Sequence, residues 1–395
     1  MSSVEIRKLE RSQEKRDMSK FVLLSLAGTA LSSSVCAQSV EQLQTLGGSG
    51  SIANDINDLG QIVGESTLPG DVVSHATIWN NGVPTDLSAV DPSRNSVAWA
   101  VNNLGVAVGS SDLGQGLRTA TMFEPRGLID VGAAAGSVNG SSVAWDINDS
   151  GRVAGQAAIN PGFAQGFFWD PSSGGVAAGT LYQGGANFSI NNAGVSVGHS
   201  FFFGDPDTAT ISMPDDRGGY LVGELGPGGR SFSMAKAISE SGTIVGHTNG
   251  AGLGSGPGGE GGDWQAVIYE DDGQGGTNYI PLGRLDGLGI SEANDVNDDG
   301  LVVGYGFDGS GAGIAPRAFA WKDGTMYELN DLLDARSGFV NLIQATGVNA
   351  QGDIVGFGET TDGNIAGFVI RGFVPAPSTG TALAALGLIA TRRRR

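Results

Sequence analysis

One pattern of apolar and polar positions recurs along the chain: alanine, two residues, isoleucine or valine, asparagine, two residues, glycine, two residues, valine, glycine. It occurs seven times, with a few substitutions. The copies are ANDINDLGQIVG at 53–64, AWAVNNLGVAVG at 98–109, AWDINDSGRVAG at 144–155 and NFSINNAGVSVG at 187–198. AKAISESGTIVG at 235–246, ANDVNDDGLVVG at 293–304 and ATGVNAQGDIVG at 345–356 complete the set. Each copy predicts a β-hairpin. The β-branched residues Ile56, Val101, Ile147, Ile190, Ile238, Val296 and Val348 close one strand, and the following Asn and Gly suit left-handed turn angles. The second strand carries Val63 and its equivalents, each followed by a glycine where a side chain would crowd a neighbouring element.

A third strand follows each hairpin: HATIW at 75–79, TATMF at 119–123, QGFFW at 165–169, TATIS at 208–212, QAVIY at 265–269, RAFAW at 317–321 and AGFVI at 366–370. Fourth strands are expected at 85–87, 128–132, 177–181, 220–225, 279–283 and 326–329. The turn glycines are spaced 45, 46, 43, 48, 58 and 52 residues apart. Four strands in about 45 residues, repeated in tandem, are the mark of β-propeller blades, because each small sheet can bury its faces only against its neighbours. The expected fold is therefore all-β, a propeller with seven four-stranded blades. The seventh copy lacks a fourth strand, while the segment from 41 to 47 looks like a fourth strand without the first three. Residues 41–47 are therefore expected to pair with 366–370 and close the ring.

The two ends read as signals. FVLLSLAGTAL at 21–31 is shorter than the ~20 residues that cross a bilayer as a helix. It follows Lys20 and precedes a small-residue site at Val35 and Ala37, so 1–37 is read as a signal peptide cleaved after Ala37, with Met18 as an alternative start. Cleavage would remove Cys36, the one cysteine. At the other end, VPAPSTGTALAALGLIATRRRR at 374–395 joins a Pro-containing motif, a short apolar stretch and four arginines. This tail resembles the PEP-CTERM sorting signals of Gram-negative, exopolysaccharide-producing bacteria, with Ala376 where that family usually has glutamate. The resemblance implies brief retention at the inner membrane, removal of the tail, and an extracellular or outer-surface address. The INxxGxxVG core, with His75-Ala76 and Ala318-Phe319 opening third strands, is similar to the HAF family of probable extracellular repeat proteins over roughly 42–370. That family implies display outside the cell and brings no catalytic mechanism or defined ligand. The propeller domain is taken as 38–373.

Composition sharpens this picture in two places. Glycine supplies 67 of the 395 residues and charged residues only 16%, which excludes coiled coils and helical bundles. Loss of 1–37 and 392–395 would change 22 basic and 41 acidic residues to 12 and 37, a net charge of −25. Such a surface repels nucleic acid and anionic lipid. The partners expected are the export and sorting machinery and an extracellular polysaccharide or surface protein, met by a monomer that touches a membrane only transiently through its tail.

Candidate chemistry is sparse. No nucleophile elbow, Walker loop or dinucleotide fingerprint is present, and no catalytic residue or cofactor is assigned. His75, His199 and His247 do not have zinc spacing. Asp295, Asn297 and Asp299 imitate the start of a calcium loop, but the twelfth position is Gly306 and not the glutamate an EF-hand needs. Strand alternation places every loop between strands two and three on the face that also carries the links between blades. Phe163, Phe201, Phe202, Phe203, Trp264, Tyr305 and Phe307 fall there, among Asp71, Asp112, Asp205, Asp207, Glu260, Asp263 and Asp308. Rings beside carboxylates suit sugar stacking and hydroxyl binding, so Trp264, Tyr305 and Phe307 are the candidate ligand-binding residues. The leading expectation is a non-catalytic matrix-binding propeller. A propeller glycosidase or lyase using central-channel acids, and a calcium-stabilised adhesin, are the alternatives.

Overall fold

The computed structural model describes residues 38–124, 127–137, 141–160, 163–172, 176–178, 184–201, 206–216, 219–226, 232–249, 264–273, 276–310 and 312–375. Residues 1–37, read above as a signal peptide with cleavage expected after Ala37, and the tail from Ala376 onward lie outside these residues. Seven four-stranded antiparallel sheets are arranged as the blades of a β-propeller. The innermost strands are Ser51–Ile56, Ser96–Val101, Ser142–Ile147, Gly184–Ile190, Ser233–Ile238, Ile290–Val296 and Phe339–Val348. Blades are numbered one to seven in that order. Each inner strand turns into the second strand through an Asn-x-x-Gly segment, or Ser239-x-x-Gly242 in blade five, and the third and fourth follow outward in six of the seven blades. The turn glycines hold positive φ, from 73° at Gly300 to 93° at Gly242.

The closure is shorter than expected. Val40–Gln42 pairs antiparallel with the last strand, Val40 opposite Ile370 and Gln42 opposite Phe368, so the N-terminus supplies the outer strand of blade seven. The predicted pairing over 41–47 stops there because Leu43, after one more backbone bond to Gly367 O (2.8 Å), buries its side chain between the last blade and the first. From there the chain crosses to blade one. Gln44 O accepts a hydrogen bond from Trp79 Nε1 at 2.7 Å, and Leu46 N–H donates to Ser66 Oγ at 2.9 Å.

The core lies between blades. Phe167, Met122, Val108 and Ile147 belong to one buried cluster that joins blades two and three, and Phe319, Val302, Val245 and Ala266 to one that joins five and six. Each fully buried ring of this kind contributes about 2–3 kcal/mol by leaving water.

Every inner strand carries a β-bulge at the same place, between Ala53 and Asp55 in blade one, and between Ala98/Ala100, Ala144/Asp146, Asn187/Ser189, Ala235/Ala237, Ala293/Asp295 and Ala345/Gly347 in the others. The bulge explains the glycine of the second strand. A Cβ on Gly64 would stand 1.9 Å from Ile52 O, inside its own blade, so the crowding comes from the kinked partner strand. It also sets two successive residues, such as Trp99 and Ala100, opposite the Val108-Gly109 step of the second strand, where one would otherwise stand. Those paired positions form the wall of the central channel.

Candidate functional site

The channel has two different ends. At the turn end, the asparagines of the repeat do not take left-handed backbone angles; among the described residues the positive-φ non-glycines are Asp71, Asn81, Ser88, Gln115 and Asp323. The asparagines act through their side chains. Asn57 Nδ2 donates to Asn102 O (2.9 Å), Asn102 to Asn148 O (3.1 Å), Asn148 to Asn191 O (3.1 Å) and Asn191 to Ser239 O (3.4 Å). Asn297 donates to Asn349 O (2.9 Å), and Asn349 returns to Asn57 O (3.1 Å). All six are at most 6% exposed. Their Oδ1 atoms accept from the turn backbone, as Asn148 does from Arg152 N at 3.0 Å. The circuit breaks once, at Ser239, whose hydroxyl pairs with Ser241 Oγ at 2.9 Å.

Just inside this mouth, which opens into a cavity of about 180 Å³, stand Asp55, Asp146 and Asp295. Each carboxylate bridges two blades. Asp146 accepts from Ile147 N (2.7 Å) and Ile190 N (2.7 Å), Asp55 from Ile56 N (2.7 Å) and Val101 N (2.9 Å), and Asp295 from Val296 N and Val348 N (both 2.8 Å). Burial, the largest cause, raises the carboxyl of Asp55 to about 6 and that of Asp146 to about 7, where repulsion from Asp55 adds to it. Asp295 is also raised, by burial and then by the other two carboxylates. Both oxygens of each group are held by backbone N–H, which makes them staples between neighbouring blades. Asp295, Asn297 and Asp299 diverge: Asp295 points to the channel, Asn297 donates to the next blade, and Asp299 is exposed. Among the described residues no three acidic or histidine side chains converge as a metal would require.

Toward the opposite end three consecutive positions of the seven around the wall are aromatic. The bulge positions there are Asn54, Trp99, Trp145, Phe188, Lys236, Asn294 and Thr346. On blades one, six and seven these residues are tied to the next inner strand: Asn54 Nδ2 to Ala98 O, Asn294 Nδ2 to Ala345 O (both 2.8 Å) and Thr346 Oγ1 to Ala53 O (2.9 Å). On blades two to four the rings form an arc, with Trp99 and Trp145 centroids 5.1 Å apart and Trp145 and Phe188 5.8 Å apart. Lys236 Nζ sits 4.6 Å from the Phe188 centroid. The indole Nε1 atoms of Trp99 and Trp145 have no acceptor among the described residues.

The arc continues outward to the link face. Phe188 meets His199 edge to face at 5.1 Å, and His199 lies 6.3 Å from Phe201, which meets Phe163 at 6.0 Å. On the next blades His247, Phe232 and Trp264 form a triangle of rings, with His247 5.6 Å from Phe232 and 5.5 Å from Trp264 and the last two 5.3 Å apart; Trp264 meets Phe307 at 6.2 Å, and Phe307 stacks on Tyr305 at 5.5 Å. The three candidate rings of the sequence, Trp264, Tyr305 and Phe307, are therefore neighbours in one half-exposed group. Phe202, Phe203, Asp205, Glu260 and Asp263 lie outside the described residues. Glu292 stands among the rings, accepting from Trp264 Nε1 at 2.9 Å and raising the Tyr305 hydroxyl, after burial, through its charge and a hydrogen bond.

Both histidines here are neutral at pH 7: burial first, then the Lys236 charge, pushes His247 down to about 3, and burial lowers His199. His75 lies elsewhere, its Nδ1 3.0 Å from Asp86 and its Nε2 3.1 Å from Pro92 O. The residues missed from the sequence are Trp99, Trp145, Phe188, Lys236 and Glu292. The one signal of the first four was variation: the position after the first repeat residue reads Asn, Trp, Trp, Phe, Lys, Asn, Thr among otherwise fixed columns, whereas Glu292 stands just before its repeat and outside those columns.

No family model and no curated protein matches the chain. Solved structures do. The β-propeller domain of the Trilobed protease from Pyrococcus furiosus aligns with 12% identity and a TM-score of 0.47, over 82% of this chain and 96% of that one. TolB from Acinetobacter baumannii aligns with 14% identity and a TM-score of 0.40, over 80% and 65%. A mutant of AofleA from Arthrobotrys oligospora aligns with 10% identity and a TM-score of 0.36, over 74% and 89%. The propeller assignment stands on the seven sheets themselves.

Proposed function

We propose that this chain is an exported, non-catalytic β-propeller that binds extracellular matrix polysaccharide at the link end of its channel. The observation that carries the proposal is the half-exposed group of Phe232, Trp264, Tyr305 and Phe307 around Glu292, backed by the buried ring of His247. Sugars present apolar C–H faces and hydroxyl edges, and such a group offers stacking surfaces beside a carboxylate that can accept hydroxyl donors. Export is proposed from the apolar segment at 21–31 and the small residues before Gln38, and surface sorting from the tail that begins at Val374. Among the described residues no helix is long and apolar enough to cross a membrane.

The absence of catalysis is proposed because the three channel carboxylates each spend both oxygens on backbone N–H groups. Glycan-array binding by the purified exported chain tests the function. Trp264→Ala with Tyr305→Ala is expected to abolish binding while the protein stays folded. Glycan binding that survives the pair, or cleavage of a polysaccharide by the wild-type chain, would contradict the proposal.

A further inference from the structure

Beyond residue 20 the chain holds only two lysines, Lys236 and Lys322. Lys322 ends the third strand of blade six, away from the axis. Lys236 occupies the bulge position of blade five, on the channel wall, where its ammonium lies over Phe188. It forms no ion pair and donates no hydrogen bond among the described residues. Burial lowers its pKa, while the charge of Glu292 pulls the other way without pairing with it. Glu292 already serves Trp264 and Tyr305.

An ammonium half-buried beside neutral rings, with no anion in contact, is destabilising on its own. A neutral sugar would not change that, whereas a ligand carrying a carboxylate would, because a charge-assisted bond in a partly desolvated site is stronger than one in water. Phe188 lies 4.6 Å from the ammonium and meets Trp145 edge to face at 5.8 Å, so this pair offers an apolar ring face for the sugar that brings the anion.

Resting on the polysaccharide reading above, we infer that the channel holds a subsite for an acidic sugar, a uronate residue, whose carboxylate pairs with Lys236 while its ring lies against the Trp145–Phe188 arc. The site therefore selects acidic over neutral polysaccharide, even though the chain as a whole is strongly acidic. The anionic surface slows the approach of such a polymer and makes capture faster as salt rises, while the local pair weakens with salt; the two effects separate in rate and equilibrium measurements.

The test is a tryptophan-fluorescence titration of the exported chain with a tetrasaccharide of galacturonate and with the same tetrasaccharide after its carboxyl groups are reduced to alcohols. The expected result is at least about tenfold tighter binding of the acidic form, a preference lost in Lys236→Met and retained in Lys236→Arg. Equal affinity for the two forms in the wild type, or a preference that survives Lys236→Met, overturns the subsite and leaves the polysaccharide reading standing. If neither these nor any arrayed glycan binds, the polysaccharide reading itself fails and the subsite fails with it. Unchanged near-ultraviolet circular dichroism in both variants confirms that the titrations compare folded proteins.

Discussion

The two ends of the channel are built from the same seven inner strands and differ in what the repeat keeps fixed. At the turn end the same asparagine appears in six blades, and its amide bonds to the next blade in every one of them. Three residues earlier on the same strands, the side chain changes from blade to blade, and the wall divides into a polar half spent on inter-blade bonds and an aromatic half with a lysine. A ring needs identical joints, so equivalence around the axis marks scaffold. Ligands are not sevenfold symmetric, so departure from equivalence on the same wall marks the candidate site.

The largest way to break this comparison is to open the ring. A chain beginning at Ser49 loses the Val40–Gln42 strand and the buried Leu43. Two apolar side chains and an outer strand together should lower the melting temperature by about 10 °C or more. An unchanged melting temperature would show that the closure contributes nothing.

Asn148→Ala removes one joint: it leaves Asn191 O and the Ser150 and Arg152 amides without their partner. Buried groups left unpaired cost about 1–3 kcal/mol in total effect, so the melting temperature should fall by roughly 5 °C, with sugar binding intact. A loss of binding equal to the loss of stability would erase the distinction between the ends.

The buried carboxylates sharpen it through pH. Asp146 titrates at about 7 in the fold against 3.8 for the free group. The unfolded chain therefore gives up this proton first, and stability present below about pH 4 is lost as the pH rises to about 7. Asp55, at about 6, acts in the same direction. The wild type should thus melt several degrees lower at pH 8 than at pH 5, and Asp146→Asn should flatten that dependence. Equal slopes in the two proteins would show that the carboxylate is not buried as described. The smallest effect is expected from mending the break: Ser239→Asn restores a donor toward Asn297 O and should raise the melting temperature by about 2 °C, roughly 1 kcal/mol.

Much of the scaffold was legible because a hairpin repeated seven times leaves fixed columns, and because a last blade missing a strand matches a leftover strand at the start. What the columns hid was physical. Asparagine suits both a left-handed turn and a side-chain bond to the next blade, and only the sheet-to-sheet geometry distinguishes them. The bulge left no trace except the glycine opposite it, so Trp99, Trp145 and Lys236 looked like ordinary strand filler. Trp264, Tyr305 and Phe307 could be placed on one face by strand alternation, but their meeting with Glu292 depends on two blades touching.

The most direct test of the account pairs two substitutions in blade six and reads stability and binding together. Asn297→Ala should lower the melting temperature by several degrees and leave polysaccharide affinity within twofold, whereas Tyr305→Ala should weaken affinity at least tenfold for a smaller loss of stability. If Asn297→Ala destroys binding in a protein that is still folded, or Tyr305→Ala leaves affinity untouched, the division of the channel into scaffold and site is wrong.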